Sequence, residues 1–167
     1  MTSPAVERTR VRFDVAPDNV GDAATRRASL DAGLAAARGL TFIAMRAPLA
    51  PAAAIVDAFS DEPAVAWSSS ELVLAGIGVA SEVRGAGDAR WREAIAGAVL
   101  PRDARAVIDG HVAPLANLGL ARPRFIGGAS WAPGTADRAP WTGFGDAWFA
   151  LPRWTYVHDH QIGRAHV

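Results

Sequence analysis

Two hydrophobic periods organise the first quarter of the chain. Apolar and charged residues alternate over 11–15, which predicts a β-strand with one solvent-facing side. From Asp22 onward, apolar residues recur at helical spacing, and this pattern predicts a helix over 23–38. Asp22 can cap the first turn of this helix, and Gly39 supplies the left-handed residue that ends it.

Short apolar runs separated by turn residues predict the next elements. The run 40–45 suits a strand that enters a core, and Pro51 can open a second helix because its missing N–H needs no partner there. The segments 64–67 and 72–80 flank three serines. They predict a hairpin whose second strand is buried on both faces.

A third helix is predicted between Asp88 and Pro101. Trp91, Ile95 and Val99 recur every four residues, as along one face of a helix. Asp88 can serve as its N-cap, and Pro101 cannot continue it.

The last third of the chain is rich in Trp, Phe and Tyr, which favours strands over 124–131 and 141–157. Pro152 cannot donate a hydrogen bond to a strand ladder, so we expect a bulge or a sheet edge at that point. We expect the six tryptophans to pack in the core rather than to form a sugar or base platform.

Composition and charge exclude several classes of function. Seventeen basic residues offset seventeen acidic ones without a run of either sign, so we expect neither nucleic acid nor membrane as a partner. The chain has no cysteine, which removes disulfides, thiolate nucleophiles and Cys-based metal sites. All the basic residues are arginine, so Schiff-base, general-base and P-loop lysines are absent from the sequence.

Segments that direct or anchor a protein are not evident. Residues 1–15 carry several charges and no apolar stretch, unlike a signal peptide, so we expect a cytoplasmic protein. The longest apolar runs, 49–56 and 72–80, are well short of the roughly 20 residues of a membrane-spanning helix.

Two glycine-containing motifs resemble known binding or catalytic motifs. The segment 76–78 resembles the start of a dinucleotide-binding fingerprint, but Ser81 stands where the third glycine belongs, so we expect these glycines to admit a bulky neighbour or a bulge. Ser130 resembles the serine of a nucleophile elbow, but a turn rather than a helix follows it. We expect Gly127 and Gly128 to serve close packing of strands.

The titratable residues suggest no catalytic set. His158, His160 and His166 cluster with Asp159 at spacing that suits a metal, but no further ligand lies near them in the sequence. His111 is isolated. The adjacent acids 61–62 precede a proline at a predicted turn, where acidic residues support backbone geometry more often than proton transfer. We therefore assign no catalytic, cofactor-binding or metal-ligating residue.

Three stretches, taken in order, resemble the N-terminal part of isochorismate synthases. They are Leu-Ala-Gly-Ile-Gly-Val-Ala at 74–80, Pro-Arg-Phe-Ile-Gly-Gly at 123–128, and 144–154, which contains Phe-Ala-Leu-Pro-Arg-Trp. The resemblance covers about residues 40–157. Isochorismate synthases belong to the chorismate-utilising superfamily, and the Gly-Gly pair with the later Leu-Pro-Arg favours this branch. Trp131 departs from the pattern, because the family has phenylalanine there.

The resemblance implies an α+β fold of the anthranilate synthase component I type, with two large antiparallel sheets packed together and helices outside. It also implies a magnesium-dependent isomerase that converts chorismate to isochorismate for menaquinone or siderophore biosynthesis. In that family a lysine activates water for attack at C2, and a glutamic acid protonates the departing C4 hydroxyl. Magnesium holds the substrate carboxylate among acidic side chains. These groups all lie in the C-terminal half of the family.

A chain without lysine cannot contain that base. We therefore expect residues 1–160 to be the N-terminal portion of a chorismate-binding domain, incomplete and without catalytic activity, with Mg²⁺ and chorismate bound only by the full-length enzyme. Residues 161–167 read Gln-Ile-Gly-Arg-Ala-His-Val, which matches one frame of a widely used sequencing adapter. We expect this tail to be non-native read-through.

Two alternatives stay open. The chain could be a small non-catalytic binding or interaction domain, consistent with the lack of an acid/base set. It could also be a fragment of another chorismate-utilising enzyme, such as salicylate or anthranilate synthase.

Overall fold

The computed structural model describes residues 10–11, 22–45, 47–108, 111–139, 142–159 and 164–166. These residues form a mixed α+β fold, as predicted. The helices are α1 (Ala23–Ala36), α2 (Ala52–Asp57) and α3 (Arg90–Gly97). The strands are β1 (Arg10–Val11), β2 (Thr41–Ala44), β3 (Ala64–Ser68), β4 (Leu72–Gly85), β5 (Arg105–Ile108), β6 (His111–Pro114), β7 (Ile126–Ala129), β8 (Ala147–Asp159) and β9 (Arg164–His166).

The chain divides into two compact units. The first unit contains Met1–Gly78, Arg102–Pro123 and Arg153–Val167, and the second contains Val79–Pro101 and Arg124–Pro152. The long strands β4 and β8 contribute residues to both.

The first unit is organised around the strand order β3-β4-β8-β1-β2-β5-β6. β1 pairs in parallel with β2 and with β8, and β2 pairs in parallel with β5, whereas β3–β4 and β5–β6 are antiparallel. Phe42 of β2 and Val107 of β5 are fully buried. Parallel strands are usually covered on both faces, which agrees with the burial of all four residues of β2. Most of the strand predicted over 11–15 lies outside the described residues.

Helix α1 confirms the prediction over 23–38 to within two residues. The Asp22 carboxylate accepts a hydrogen bond from the Thr25 N–H at 2.7 Å, and Gly39 adopts φ +58° beyond the last turn. Gly33 faces the sheet so closely that a Cβ there would lie 3.0 Å from Ile43 Cγ2. The helix packs on β2 through this small residue.

The predicted hairpin and second helix are also confirmed, with two adjustments. Pro51 is the N-cap of α2 rather than its first residue, and β4 extends to Gly85 instead of ending at 80. Five buried residues form the core between these elements, with Ile55 and Val56 packed against them: Ala47, Ala52, Val73, Ala75 and Tyr156. The Tyr156 hydroxyl accepts a hydrogen bond from the Ala50 N–H at 2.9 Å, which ties β8 to the segment before α2.

In the second unit, α3 is present, but the expectation that Asp88 is its N-cap is wrong, because Ala89 holds that position. Asp88 lies in a single 3₁₀ turn, Gly87–Ala89, and makes no capping hydrogen bond with its side chain. The apolar row formed by Trp91, Ile95 and Val99 is exposed. The inward positions are held by Arg90 and Ala94, and the Arg90 guanidinium donates to the carbonyl groups of Ser130 and Trp131.

Pro152 is buried within β8, a strand that lies inside the sheet order rather than at its edge. β7 pairs with β8 as far as Ala150, and β1 pairs with it from Trp154 onward. Pro152 thus falls between the stretches that these two partners use. Because β8 has neighbours on both sides in the sheet order, the expectation of a sheet edge at Pro152 is wrong.

Candidate functional site

The three stretches that carry the family resemblance form strands. Residues 74–80 lie in β4, residues 126–128 begin β7, and residues 147–154 lie in β8. β7 pairs antiparallel with β8, and β4 is next to β8 in the sheet order. The described residues therefore bring segments that are up to about 80 positions apart in the sequence onto neighbouring strands.

The two glycines of the second stretch have different roles. Gly127 pairs with Phe149, and a Cβ on Gly127 would overlap the Trp148 carbonyl oxygen and lie 2.7 Å from Phe149 Cα. Gly128 has open space where its Cβ would point. The expectation of close strand packing is confirmed for Gly127 and wrong for Gly128.

A buried arginine holds the loop that follows β7. Arg90 is only 7% exposed, and its guanidinium donates to the Ser130 carbonyl at 2.9 Å and the Trp131 carbonyl at 2.6 Å. It also donates to the Gly87 carbonyl at 3.0 Å. The planar fork of arginine suits three acceptors at fixed positions, which an ammonium group would not satisfy together. Arg90 therefore fixes the backbone path of the loop.

The Asp146 carboxylate, whose charge is opposite to that of Arg90, also binds the backbone of this loop. It accepts from the Gly87 N–H at 2.8 Å and from the Gly134 N–H at 2.6 Å. These two backbone hydrogen bonds, that from Gly87 first, lower the pKa of Asp146 below its usual value. Gly134 adopts φ +71°, a conformation that glycine takes without strain.

A second polar group of this unit orients Trp148. The Trp148 indole N–H donates to Glu82 at 2.8 Å, and Arg84 lies 3.3 Å from the same carboxylate. The hydrogen bond from Trp148, followed by that from Arg84, lowers the pKa of Glu82. Phe144 meets Trp148 edge to face with ring centroids 5.6 Å apart. The two rings are held in a fixed relation by these contacts.

The polar side chains around the loop after β7 bind backbone atoms. Ser130 lies in the loop, where its hydroxyl donates to the Ala132 carbonyl at 2.8 Å and its N–H donates to the Asp146 carbonyl. Asp146 and Arg90 bind backbone atoms in the same way.

The glycine motif of β4 contains a residue with left-handed backbone conformation. Gly78 adopts φ +64°, and a Cβ there would lie 3.0 Å from Glu62 Oε2 and 3.3 Å from Arg153 Cβ. Glu62 and Arg153 form an ion pair at 3.5 Å, with both side chains about 40% exposed. The glycine motif therefore admits bulky neighbours, which confirms the expectation for these glycines. Glu62, one of the two adjacent acids at 61–62, is an ion-pair partner of Arg153.

The histidine cluster is only partly within the described residues. His158 is half-buried in β8, and His160 lies outside the described residues. His111 begins β6 and is exposed, remote in sequence from the cluster. In the part of the chain that the structure describes, no three His, Asp or Glu side chains converge as a metal site.

Sequence reasoning did not anticipate how exposed the tryptophans are. Trp131 is 98% exposed, and Trp67 and Trp91 are also largely exposed, which corrects the expectation that they pack in the core. For Trp131 the only signal was its place before a Pro-Gly turn. The indole of Trp131 is in solvent, whereas the backbone of its loop is held by hydrogen bonds to Arg90 and Asp146.

None of the helices among the described residues is both long and apolar enough to cross a membrane. Comparison of the chain with protein-family models, with curated proteins and with solved structures gives no match.

Proposed function

We propose that this chain is the N-terminal portion of an isochorismate synthase, an enzyme that converts chorismate to isochorismate for menaquinone or siderophore biosynthesis. The observation that carries the proposal is the order of the three resembling stretches, which occupy the neighbouring strands β4, β7 and β8. The α+β character of the chain is in keeping with it. The finer architecture, two packed sheets of a chorismate-binding domain, is part of the same proposal.

In this proposal the chain supplies scaffold and not chemistry. The reaction needs a lysine as base, and the sequence contains none. Magnesium would supply charge stabilisation at the substrate carboxylate when bound to the complete enzyme. Asp146 and Glu82 of the second unit accept hydrogen bonds from loop N–H groups and from the Trp148 indole. The chain's own contribution is to hold its strands and the loop after β7 in place.

An activity assay and the DNA sequence test the proposal separately. Incubating the purified chain with chorismate and Mg²⁺ should yield no isochorismate by chromatography, and turnover by this chain would contradict the assignment of the catalytic groups. Genomic DNA should continue in frame beyond codon 160 into a segment resembling Lys-Val-Val-Leu-Ala-Arg, in place of the adapter-like codons for 161–167. A genomic stop codon directly after Val167 would contradict it.

A non-catalytic interaction domain is the second candidate. The observation that favours it is Trp131, an indole in full solvent contact on a hydrogen-bonded loop. Tryptophan is enriched among the residues that dominate binding energy at protein interfaces. Pull-down with the wild-type chain but not with Trp131→Ala, together with a genomic stop at Val167, would favour this candidate over the first.

A further inference from the structure

Helix α3 packs on one face of the strands of the second unit. A Cβ on Gly97 of α3 would lie 2.5 Å from Val83 Cγ1, so Val83 of β4 points toward the helix. Neighbouring residues of a strand point to opposite faces. Glu82 and Arg84 therefore lie on the other face of β4, where their side chains are 45% and 53% exposed.

The face that carries Glu82 and Arg84 continues across β8 and β7. The Trp148 indole N–H donates to Glu82 at 2.8 Å, so Trp148 lies on this face of β8. Gly128 of β7 pairs directly with Trp148, and paired residues of antiparallel strands point to the same side. Glu82, Trp148 and Gly128 thus form a row across three neighbouring strands. With strands about 4.8 Å apart, the row is about 10 Å long.

The Trp148 indole leans toward one end of this row. Its hydrogen bond to Glu82 draws the ring toward β4 and away from β7. Gly128, on the β7 side, is exposed, and no described atom lies within 4 Å of the position that its Cβ would take. The indole and the backbone at Gly128 therefore form a step, in which the ring is the wall and the glycine is the floor.

Fixed polar groups lie at the β4 end of the row. Arg84 pairs with the Glu82 carboxylate at 3.3 Å and donates to the Gly143 carbonyl at 2.9 Å. The two side chains offset each other's charge, and together they offer a hydroxyl group both an acceptor and a donor. Hydrogen bonds from Trp148 and then Arg84 lower the pKa of Glu82, which favours the charged carboxylate. A charged acceptor forms stronger hydrogen bonds than a neutral one.

The shape and polarity of this row fit a neutral sugar chain. A pyranose ring with equatorial hydroxyls has apolar C–H faces, which can pack on an aromatic ring or on bare backbone, and a rim of hydroxyls that need fixed polar partners. Two β-linked rings form a straight ribbon about as long as the row. An anionic ligand would meet the Glu82 carboxylate, while Arg84 is already shared between Glu82 and the Gly143 carbonyl.

We propose that this face of the second unit binds a neutral, β-linked oligosaccharide. One pyranose ring packs on the floor at Gly128, beside the Trp148 indole. The next ring lies toward β4, where its hydroxyls donate to Glu82 and accept from Arg84. This inference does not depend on the proposed enzymatic identity, because it uses only the geometry of β4, β7 and β8.

Titration of the full chain with cellotetraose, followed by NMR of the tryptophan indole N–H groups, tests the proposal. The Trp148 signal is identified by nuclear Overhauser contacts with the Phe144 ring, whose centroid lies 5.6 Å from that of Trp148. We expect this signal to shift saturably, with a Kd of about 1 mM or below. No shift at about 20 mM cellotetraose would overturn the proposal.

Two comparisons separate a built site from general stacking on indoles. Trp131 is 98% exposed, and its signal, identified by its loss in Trp131→Ala, should not shift with that of Trp148. Equal shifts of both signals would mean non-specific contact and would overturn the proposal. Adenosine, a flat aromatic ligand, should shift the Trp148 signal only at higher concentration than cellotetraose. Tighter binding of adenosine would assign the face to a base and would also overturn it.

The floor of the step is tested by filling it. Gly128→Val places a side chain where the first ring would lie, and the space there lets the chain fold, so it should weaken binding at least about tenfold. Ala96→Val enlarges an exposed side chain of α3 and should leave binding unchanged. The dispersion of the indole signals shows that each variant is folded. Unchanged binding by folded Gly128→Val would contradict the proposed position of the ring.

The polar end of the row has a charge-matched control. Glu82→Gln keeps an oxygen that accepts from the Trp148 indole but removes the charge, so it should weaken binding at least about fivefold. Asp88→Asn removes one exposed charge elsewhere in the same unit and should have no effect. Equal effects of the two substitutions would contradict recognition of hydroxyls by Glu82.

Discussion

Gly127 of β7 lies directly opposite Phe149 of β8, and a Cβ at Gly127 would come within 2.7 Å of Phe149 Cα. The two backbones thus approach more closely than any residue with a side chain at position 127 permits. At the next residue, Gly128, the equivalent direction is open. Position 127 therefore requires glycine, whereas position 128 has room for a side chain, although the sequence alone does not distinguish the two.

Alanine substitutions at these two positions should have opposite outcomes. Gly127→Ala must displace β7 from β8, and we expect a loss of about 3 kcal/mol in the free energy of unfolding. Gly128→Ala meets no neighbour and reduces the entropy of the unfolded chain, so we expect a gain of about 0.5 kcal/mol. Urea denaturation followed by tryptophan fluorescence measures both. Equal stability of the two variants would show that the close approach is not a constraint.

Arg90 should be the most sensitive charged position of the second unit. Arg90→Lys cannot satisfy the carbonyls of Gly87, Ser130 and Trp131 together, so partly buried acceptors lose their donors. We expect a loss of about 2 kcal/mol in the free energy of unfolding. Arg92→Lys, on the exposed side of the same helix, is the control and should change stability by less than about 0.5 kcal/mol. The same urea titration compares them.

What could be predicted from the sequence depended on the range of the interactions involved. Helix α1 was predictable because Asp22 and Gly39 act within one turn of its ends. The inward face of α3 was not, because Arg90 is buried by carbonyls some forty residues away along the chain. Periodicity alone favoured the apolar row that includes Trp91, which the structure leaves exposed.

Some features of the candidate site could likewise be predicted from the sequence, and others could not. The aromatic runs predicted strands at β7 and β8, and the Gly-Gly pair predicted close strand packing, whereas the pairing of these two strands is seen only in the structure. The role of Asp146 could not be read from the sequence, because its two partners are backbone N–H groups on separate loops at Gly87 and Gly134. A backbone donor carries no residue-type signal, and only the fold brings it to the carboxylate.

Asp146 should contribute to stability in a pH-dependent manner. Hydrogen bonds from Gly87 and Gly134 lower its pKa in the folded state, so folding favours the charged form. The contribution is present above the unfolded pKa, about 3.9, and is lost as the pH falls through the lower folded pKa. Asp146→Asn should therefore be less stable than the unaltered chain at neutral pH, and the difference should shrink in acid.

Urea midpoints of the two proteins between about pH 7 and pH 2.5 measure this difference. Asp22 and Glu82 also have lowered pKa values, so both proteins should lose stability in acid, and only the gap between them reports on Asp146. A gap that stays constant or widens as the pH falls would contradict the assignment.

The Trp131 side chain should be dispensable for folding, whereas its backbone carbonyl binds Arg90. The indole is almost entirely in solvent, so Trp131→Ala should change the free energy of unfolding by less than about 0.5 kcal/mol. The backbone carbonyl that binds Arg90 is unchanged in this variant, and the loop should keep its path. Trp148→Ala is the contrasting substitution, because it removes the hydrogen bond to Glu82 and the edge-to-face contact with Phe144. We expect it to cost about 3 kcal/mol in the same urea titration. A large loss of stability from Trp131→Ala would mean that the indole packs against the protein, and its reading as an exposed contact residue would then be wrong.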